Sequence, residues 1–149
     1  MIWPQPLGFV INGLKREQLI ACNSMVLHEL FFESLGDLRE PDGRIRDAMT
    51  HDFAGVERWR TGLIAFANAL SGSSGWVPLT YSKHDGRLIN QWEADYTQTR
   101  AGGQPILALD MYEHAYNMDD DGNSAAYVDA YMGAINWPTV RRLYEEYRR

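Results

Sequence analysis

The sequence predicts an α+β fold, in which a helical N-terminal part is followed by a small three-stranded antiparallel sheet flanked by helices. Apolar residues recur at helical spacing up to residue 70, apolar runs bounded by turn residues follow between residues 76 and 109, and helical patterns return near the C-terminus. Helices, then strands, then helices are typical of an α+β arrangement. A chain of 149 residues is long enough for one hydrophobic core.

The N-terminal part is predicted to be an extended arm followed by three helices. Two prolines disfavour regular structure in the arm, residues 1–11, and Asn12 is a suitable N-cap for a long helix. The third helix carries an apolar face of Trp59, Leu63, Phe66, Ala67 and Leu70. The predicted helices cover residues 12–35, 45–53 and 56–70.

The C-terminal part is predicted to hold the sheet and the closing helices. Asp85-Gly86 is a strong turn signal between two strands, and Pro138 suits the first position of the last helix because its missing N–H costs nothing there. The predicted strands cover residues 76–82, 87–92 and 105–109, and the helical segments cover residues 113–118, 123–135 and 137–148. We therefore expect an arm, 1–11, and one domain, 12–149, with a helical part, 12–70, and an α/β part, 75–149.

Composition excludes several classes of protein. The net charge of −6 gives no footprint for nucleic acid, and no apolar run reaches the roughly 18 to 20 residues of a membrane span. The N-terminus lacks the basic and apolar regions of a secretory signal. Cys22 is the only cysteine, so no intrachain disulfide forms, and we expect this side chain to be packed in a protein of the cytoplasm.

Two places in the sequence carry metal-binding chemistry. Asp110 and His114 lie four residues apart where the last predicted strand ends, and a carboxylate with an imidazole suits iron or manganese. His28 lies among apolar residues in the long helix. Each has a simpler interpretation, because Asp–His pairs at this spacing are commonly caps or surface contacts and a histidine on an apolar face is commonly a core residue.

Five segments, in order along the chain, resemble one family. Pro105-Ile-Leu-Ala-Leu-Asp-Met-Tyr-Glu-His-Ala-Tyr116 is similar to a signature that contains Asp-x-Trp-Glu-His-Ala-Tyr. The other four are Ala134-Ile-Asn-Trp137, Gly72-Ser-Ser-Gly-Trp76, Ala48-Met-Thr-His-Asp-Phe53 and residues 23–35 around His28. Together they resemble the iron/manganese superoxide dismutases from about residue 9 to the C-terminus.

The resemblance implies a function and a site. It makes His28, Asp110 and His114 the ligands of one iron or manganese ion per chain, which disproportionates superoxide to oxygen and hydrogen peroxide. Glu113 matches a glutamate that reaches across a dimer interface, and Trp76 matches an aromatic residue that lines the pocket. Gln98, with Gln91 as the alternative, is the candidate for the glutamine that bonds metal-bound solvent. The expected partners are superoxide and further copies of the chain, in a homodimer or higher homo-oligomer.

The departures from the family pattern leave a second interpretation open. The family's first ligand histidine lies on a helix upstream of the one that holds His28, and residues 1–11 contain no histidine. The family's tryptophan before Glu-His is Tyr112, and the later tyrosine is Asn117. Its second pocket tryptophan is Pro78, and Ser24 occupies the alternative glutamine position. The chain is therefore either a dismutase, with an unusual ligand set or as a shortened form of a longer chain, or an inactive dismutase-fold module for dimerisation or binding.

Other candidate residues have simpler interpretations. His51, on a short surface helix, and His84, at a hairpin tip, are expected to be solvated rather than to supply a fourth ligand. The acidic run at residues 119–122 lacks the later acidic ligands of a calcium loop and is expected to be a solvated loop. Without the family's upstream hairpin, we expect Met25, Phe32 and Leu35 to be partly uncovered unless the arm folds over them.

Overall fold

A computed structural model describes residues 7–36, 40–117 and 123–149. The helices are α1 (Gly8–Glu33), α2 (Gly43–Phe53), α3 (Val56–Leu70), α4 (Ser124–Gly133) and α5 (Trp137–Tyr147), and a 3-10 turn, η1, covers Glu113–Ala115. The strands are β1 (Trp76–Ser82), β2 (Arg87–Asn90) and β3 (Gly103–Asp110). The predicted α+β fold is confirmed. In the described ranges, no helix has both the length and the apolar character needed to cross a membrane.

The sheet has the order β2-β1-β3, and both pairings are antiparallel. Every residue of the central strand β1 is buried, as expected for a strand with neighbours on both edges. The register pairs Trp76, the first residue of β1, with Asp110, the last residue of β3. The sheet therefore brings Trp76 beside Asp110, the carboxylate of the signature segment.

The core joins helices and sheet in one cluster of buried side chains. Trp59 of α3 and Trp137 of α5 are buried and meet edge to face, with ring centroids 5.3 Å apart, an arrangement that aromatic pairs favour. The predicted face of α3 is buried except at one position. Phe66 is 38% exposed, although helical spacing places it on the same face.

The N-terminal arm was predicted wrongly in part. Helix α1 begins at Gly8, and the backbone N–H groups of Val10 and Ile11 already donate to the carbonyl of Leu7. The prolines that suggested an arm lie in residues 1–6, outside the described ranges. Residues 118–122, with the acidic run, are also outside them. Cys22 is exposed rather than packed.

We expect Trp59→Ala to lower the free energy of unfolding by about 3–5 kcal/mol, because it leaves a cavity beside Trp137 that the surrounding helices fill only in part. Trp92→Ala is the matched control, because Trp92 is 48% exposed, and it should cost less than about 1 kcal/mol. Urea denaturation followed by circular dichroism measures both. Equal losses for the two variants would contradict this account of the core.

Candidate metal centre

Asp110 lies at the centre of the candidate site. It is the last residue of β3 and its side chain is only 3% exposed. One carboxylate oxygen, Oδ1, accepts a hydrogen bond from the backbone N–H of Tyr112 at 2.9 Å, and the other, Oδ2, faces two histidines. The chain turns sharply after β3, and this turn supplies the N–H that fixes the carboxylate.

His28 approaches Asp110 from the last third of α1. Its Nδ1 lies 2.7 Å from the carbonyl oxygen of Ser24, one helical turn earlier. Because a carbonyl oxygen can only accept, Nδ1 carries the proton and the lone pair of the neutral ring is on Nε2. That nitrogen lies 3.6 Å from Asp110 Oδ2. The helix backbone therefore orients His28 as a ligand, which is the usual role of a second hydrogen bond to a metal-binding histidine.

His114 approaches Asp110 from the turn η1. Its Nε2 lies 2.9 Å from Asp110 Oδ2, and its side chain is 58% exposed. The four-residue spacing brings the two side chains together because the backbone turns back through η1 immediately after the strand. One side of this histidine faces solvent.

The structure brings together the three residues that sequence analysis singled out as ligands. One ligand atom from each of His28, Asp110 and His114 lies within 4.8 Å of the other two. Two imidazole nitrogens and a carboxylate oxygen suit iron or manganese, and bonds of about 2.0–2.2 Å, as for zinc with these ligands, require donor atoms about this close. The residues present therefore fit a single metal ion.

Three aromatic rings line the ligand group. Trp76 packs edge to face against His28 with centroids 5.0 Å apart, and Tyr112 stacks on His114 at 5.7 Å. Tyr96, which sequence analysis missed, stacks on Tyr112 at 5.0 Å and lies 6.4 Å from His28. Nothing in the sequence around Tyr96 distinguishes it from a surface loop residue. The rings make the surroundings of the ligands largely apolar.

The remaining candidates lie around or away from this group. Gln98 is exposed, and its Oε1 accepts a hydrogen bond from the backbone N–H of Ala94 at 2.9 Å. Among the described residues, no hydrogen bond joins Gln98 or Gln91 to a ligand residue. Glu113 is exposed on η1 next to His114. His51, whose side chain is 87% exposed, pairs with Asp52, and His84 is exposed, so neither joins the ligand group.

The electrostatics of the site follow from burial. Burial raises the pKa of Asp110 above its ordinary value, and the N–H of Tyr112 and the imidazole of His114 oppose that shift. Burial also raises the pKa of Tyr112 to about 12, with Tyr96 and Asp95 adding to it. A nearby cation stabilises a buried carboxylate of this kind. A metal ion held by the three ligand residues would be that cation.

A second buried carboxylate, Glu93, lies behind Trp76. The backbones of the two residues exchange hydrogen bonds of 2.8 and 3.0 Å, and Gly75 permits this approach, since a Cβ there would lie 2.2 Å from the Glu93 carbonyl oxygen. Glu93 is fully buried, and neither carboxylate oxygen has a hydrogen-bond partner among the described residues. Burial, with Asp95 nearby, raises the pKa of Glu93 to about 7.

An α+β fold with two imidazoles and a buried carboxylate at a strand end defines a candidate mononuclear metalloprotein. Residues 41–143 match the family model described as the C-terminal domain of iron/manganese superoxide dismutases. The chain belongs to that family.

Individual relatives agree with this assignment. The chain is 58% identical to the superoxide dismutase (Fe) of Cupriavidus metallidurans over 87% of this chain and 66% of that protein. It is 34% identical to superoxide dismutase (Mn) 1 of Halobacterium salinarum, over 81% of this chain and 60% of that protein. The superoxide dismutase (Fe) of Aquifex pyrophilus is 32% identical to the chain, over 89% of this chain and 62% of that protein. The chain thus spans slightly less than two thirds of the length of these relatives.

We expect Glu93→Gln to remove a pH dependence of stability. A pKa raised from 4.5 to about 7 means that the folded state binds more protons than the unfolded state, so stability is fully present below pH 4.5 and is lost as the pH rises towards 7. Between pH 5 and pH 8 the loss is roughly 2–3 kcal/mol if Glu93 alone carries it. Urea denaturation at pH 5 and pH 8 measures it in both proteins. Equal pH dependence in the wild type and the variant would contradict the assignment.

Proposed function

We propose that this chain binds one iron or manganese ion through His28, Asp110 and His114 and disproportionates superoxide. The observation that carries the proposal is the convergence of these three side chains, from α1 and from the end of β3, on one point. Family membership and the names of the relatives, which specify iron or manganese, support it. The activity is proposed for the chain as given, which spans part of the relatives' length.

The reaction converts two superoxide ions and two protons to one molecule of oxygen and one of hydrogen peroxide. When bound, the metal supplies an electron acceptor for one superoxide and an electron donor for the next. The protein must therefore hold three ligands rigidly and limit the access of bulk water to them.

Hydrogen bonds to the backbone hold two of the ligand side chains in place. The N–H of Tyr112 holds the carboxylate of Asp110, and the carbonyl of Ser24 fixes the ring and tautomer of His28. These bonds reduce the conformational freedom that metal binding must otherwise remove, which favours a preorganised site. His114 has no such backbone bond among the described hydrogen bonds, so it is the least constrained ligand.

The aromatic residues limit the access of bulk water to the ligands. We propose that Trp76 lines the substrate pocket, because it is buried and packs against His28.

We also propose that Glu113, which is exposed beside His114, meets a second copy of the chain in a homodimer. An outer-sphere role for Gln98 stays a prediction, and it requires the side chain to leave the N–H of Ala94.

The proposed compartment is the cytoplasm. Cys22 is a free, exposed thiol, and the chain has no second cysteine to pair with it. A reducing compartment keeps such a thiol unoxidised.

A specific observation favours the second candidate function, an inactive dismutase-fold module for dimerisation or binding. Among the described residues, no further histidine, cysteine or acidic side chain joins the three that converge, and His114 is 58% exposed. A site with three protein ligands and an open side binds metal more weakly than a closed one. Metal content and turnover, measured together, distinguish the two functions.

We expect His114→Ala to lower the affinity for iron or manganese by at least about tenfold, because changes in outer-shell residues alone have effects of this size. His84→Ala is the matched control, because His84 is an exposed histidine outside the ligand group. Elemental analysis after dialysis gives the metal content, and a dismutase assay gives turnover.

Loss of metal and of turnover in His114→Ala alone supports the proposed enzyme. If the metal content depends on His114 but the wild type shows no turnover, the chain is the binding module. Equal metal content in all three proteins contradicts the proposed ligand set.

A further inference from the structure

Glu93 belongs to a row of three side chains that crosses the sheet. Leu79 of β1 pairs with Asn90 of β2, and the same register continues past the end of β2, where Trp76 pairs with Glu93. On its other edge, Trp76 pairs with Asp110 of β3. Directly opposed residues on neighbouring strands point to the same face of a sheet. Asp110, Trp76 and Glu93 therefore lie side by side on one face.

That face is the one covered by α1. Trp76 packs against His28 of α1, and the carboxylate of Asp110 lies 3.6 Å from the same histidine. Glu93 therefore points towards the layer that holds the candidate metal centre. Paired residues on neighbouring strands have Cα atoms about 4.5–5.5 Å apart, so those of Glu93 and Asp110 are about 10 Å apart, with Trp76 between them.

The carboxyl group of Glu93 is isolated in this position. Glu93 is fully buried, neither of its side-chain oxygens has a hydrogen-bond partner within the described ranges, and no ion pair there includes it. The indole Nε1 of Trp76 and the Oε1 of Gln91 are also buried without a partner in those ranges. An unpaired buried charge is strongly disfavoured, and an unpaired buried polar group in a native structure calls for an explanation such as a functional role.

The surrounding charges also favour the neutral form of Glu93. Besides burial, the carboxylate of Asp95 raises the pKa of Glu93. The charged and titratable groups on the elements around Glu93 are the three ligand residues, Arg16, Asp95, Tyr96 and Tyr112. Of these, Arg16 and the two histidines can carry positive charge. Arg16 pairs with Asp95 and the histidines pair with Asp110, so none of the three forms an ion pair with Glu93.

We propose that Glu93 compensates the charge of the metal centre. At mildly acidic pH its carboxyl group is neutral while the ligand residues hold no ion, and it loses its proton to solvent when a cation is bound beside Asp110. The inference rests on the proposed function, because it requires iron or manganese at that site. A divalent cation about 10 Å away, across a buried side chain rather than water, favours the ionised form of Glu93. By linkage, ionised Glu93 favours the cation to the same extent.

Glu93 supplies a charge that the three ligands lack. Two neutral imidazoles and one carboxylate do not neutralise a divalent ion, and the rings around them are largely apolar. A second carboxylate on the same face of the sheet offsets the remaining charge without occupying a coordination position. This accounts for a glutamate at a place where an apolar residue would cost less to bury.

The first test follows the proton. Mn²⁺ is added to the metal-free full chain at about pH 6, and infrared difference spectroscopy records the C=O stretch of protonated carboxyl groups. The wild type should lose a band that Glu93→Gln does not lose, because glutamine has the same shape and cannot ionise. Calorimetry in two buffers of different ionisation enthalpy should show that the wild type releases more protons, by up to about one per chain.

The second test follows the affinity for Mn²⁺. Glu93→Gln should bind nearly as tightly as the wild type at pH 5, where both side chains are neutral, and about tenfold or more less tightly at pH 8, where the wild type has a carboxylate. Protonation of His28 and His114 weakens binding at low pH equally in both proteins, so the ratio of the two affinities isolates Glu93.

Glu57→Gln is the matched control for both tests. Glu57 is 80% exposed, so the same loss of charge there is screened by solvent and should leave proton release and affinity nearly unchanged at both pH values. Circular dichroism shows that both variants are folded, as expected when a buried carboxyl group is replaced by an uncharged group of the same shape.

Loss of the wild-type band, together with an affinity ratio that changes between pH 5 and pH 8, supports the proposal. Mn²⁺ binding with no difference in protonated carboxyl groups between the wild type and Glu93→Gln, or with the same affinity ratio at both pH values, overturns this inference and leaves the proposed metal site standing. A chain that binds neither Mn²⁺ nor iron overturns the proposed function, and this inference with it.

Discussion

The buried carboxylate of Asp110 is the constraint on which the arrangement of the whole site depends. A carboxylate that is 3% exposed is costly to bury unless it is hydrogen-bonded and paired with positive charge. The fold surrounds this carboxylate with groups from two separate parts of the chain, since the N–H of Tyr112 and the imidazole of His114 follow β3, and His28 comes from α1. The same carboxylate thus joins the helix to the sheet and creates the place where a cation is most stable.

Helix α1 is held to the rest of the molecule mainly by its C-terminal half. Leu27 and Leu30 are its buried residues, and they lie close to the point where His28 meets Asp110. The N-terminal half is exposed and contributes little to the core. This unequal burial explains why the ligand position is well supported although the helix presents a long apolar surface.

Much of the fold could be predicted from the sequence, because the signals were local. The bounds of α3 and β1 were predicted to the residue, and Pro138 marked the start of α5. The start of α1 was missed because prolines in residues 1–6 were read as extending the arm to residue 11. Tyr96 and Glu93 could not be predicted, since both lie in a polar loop whose burial results from contacts with Trp76 and Tyr112 made only in the folded chain. His28 joined the candidate site through the family resemblance, because spacing alone does not bring it to Asp110.

The central claim is that His28, Asp110 and His114 hold one ion between α1 and the end of β3. Anomalous diffraction at the iron and manganese absorption edges, from crystals of the metal-loaded chain, tests it most directly. The account predicts one peak per chain, about 2.0–2.2 Å from a nitrogen of each histidine and from an oxygen of Asp110. A peak at the acidic run of residues 119–122, or a metal-loaded crystal with no peak beside Asp110, would contradict it.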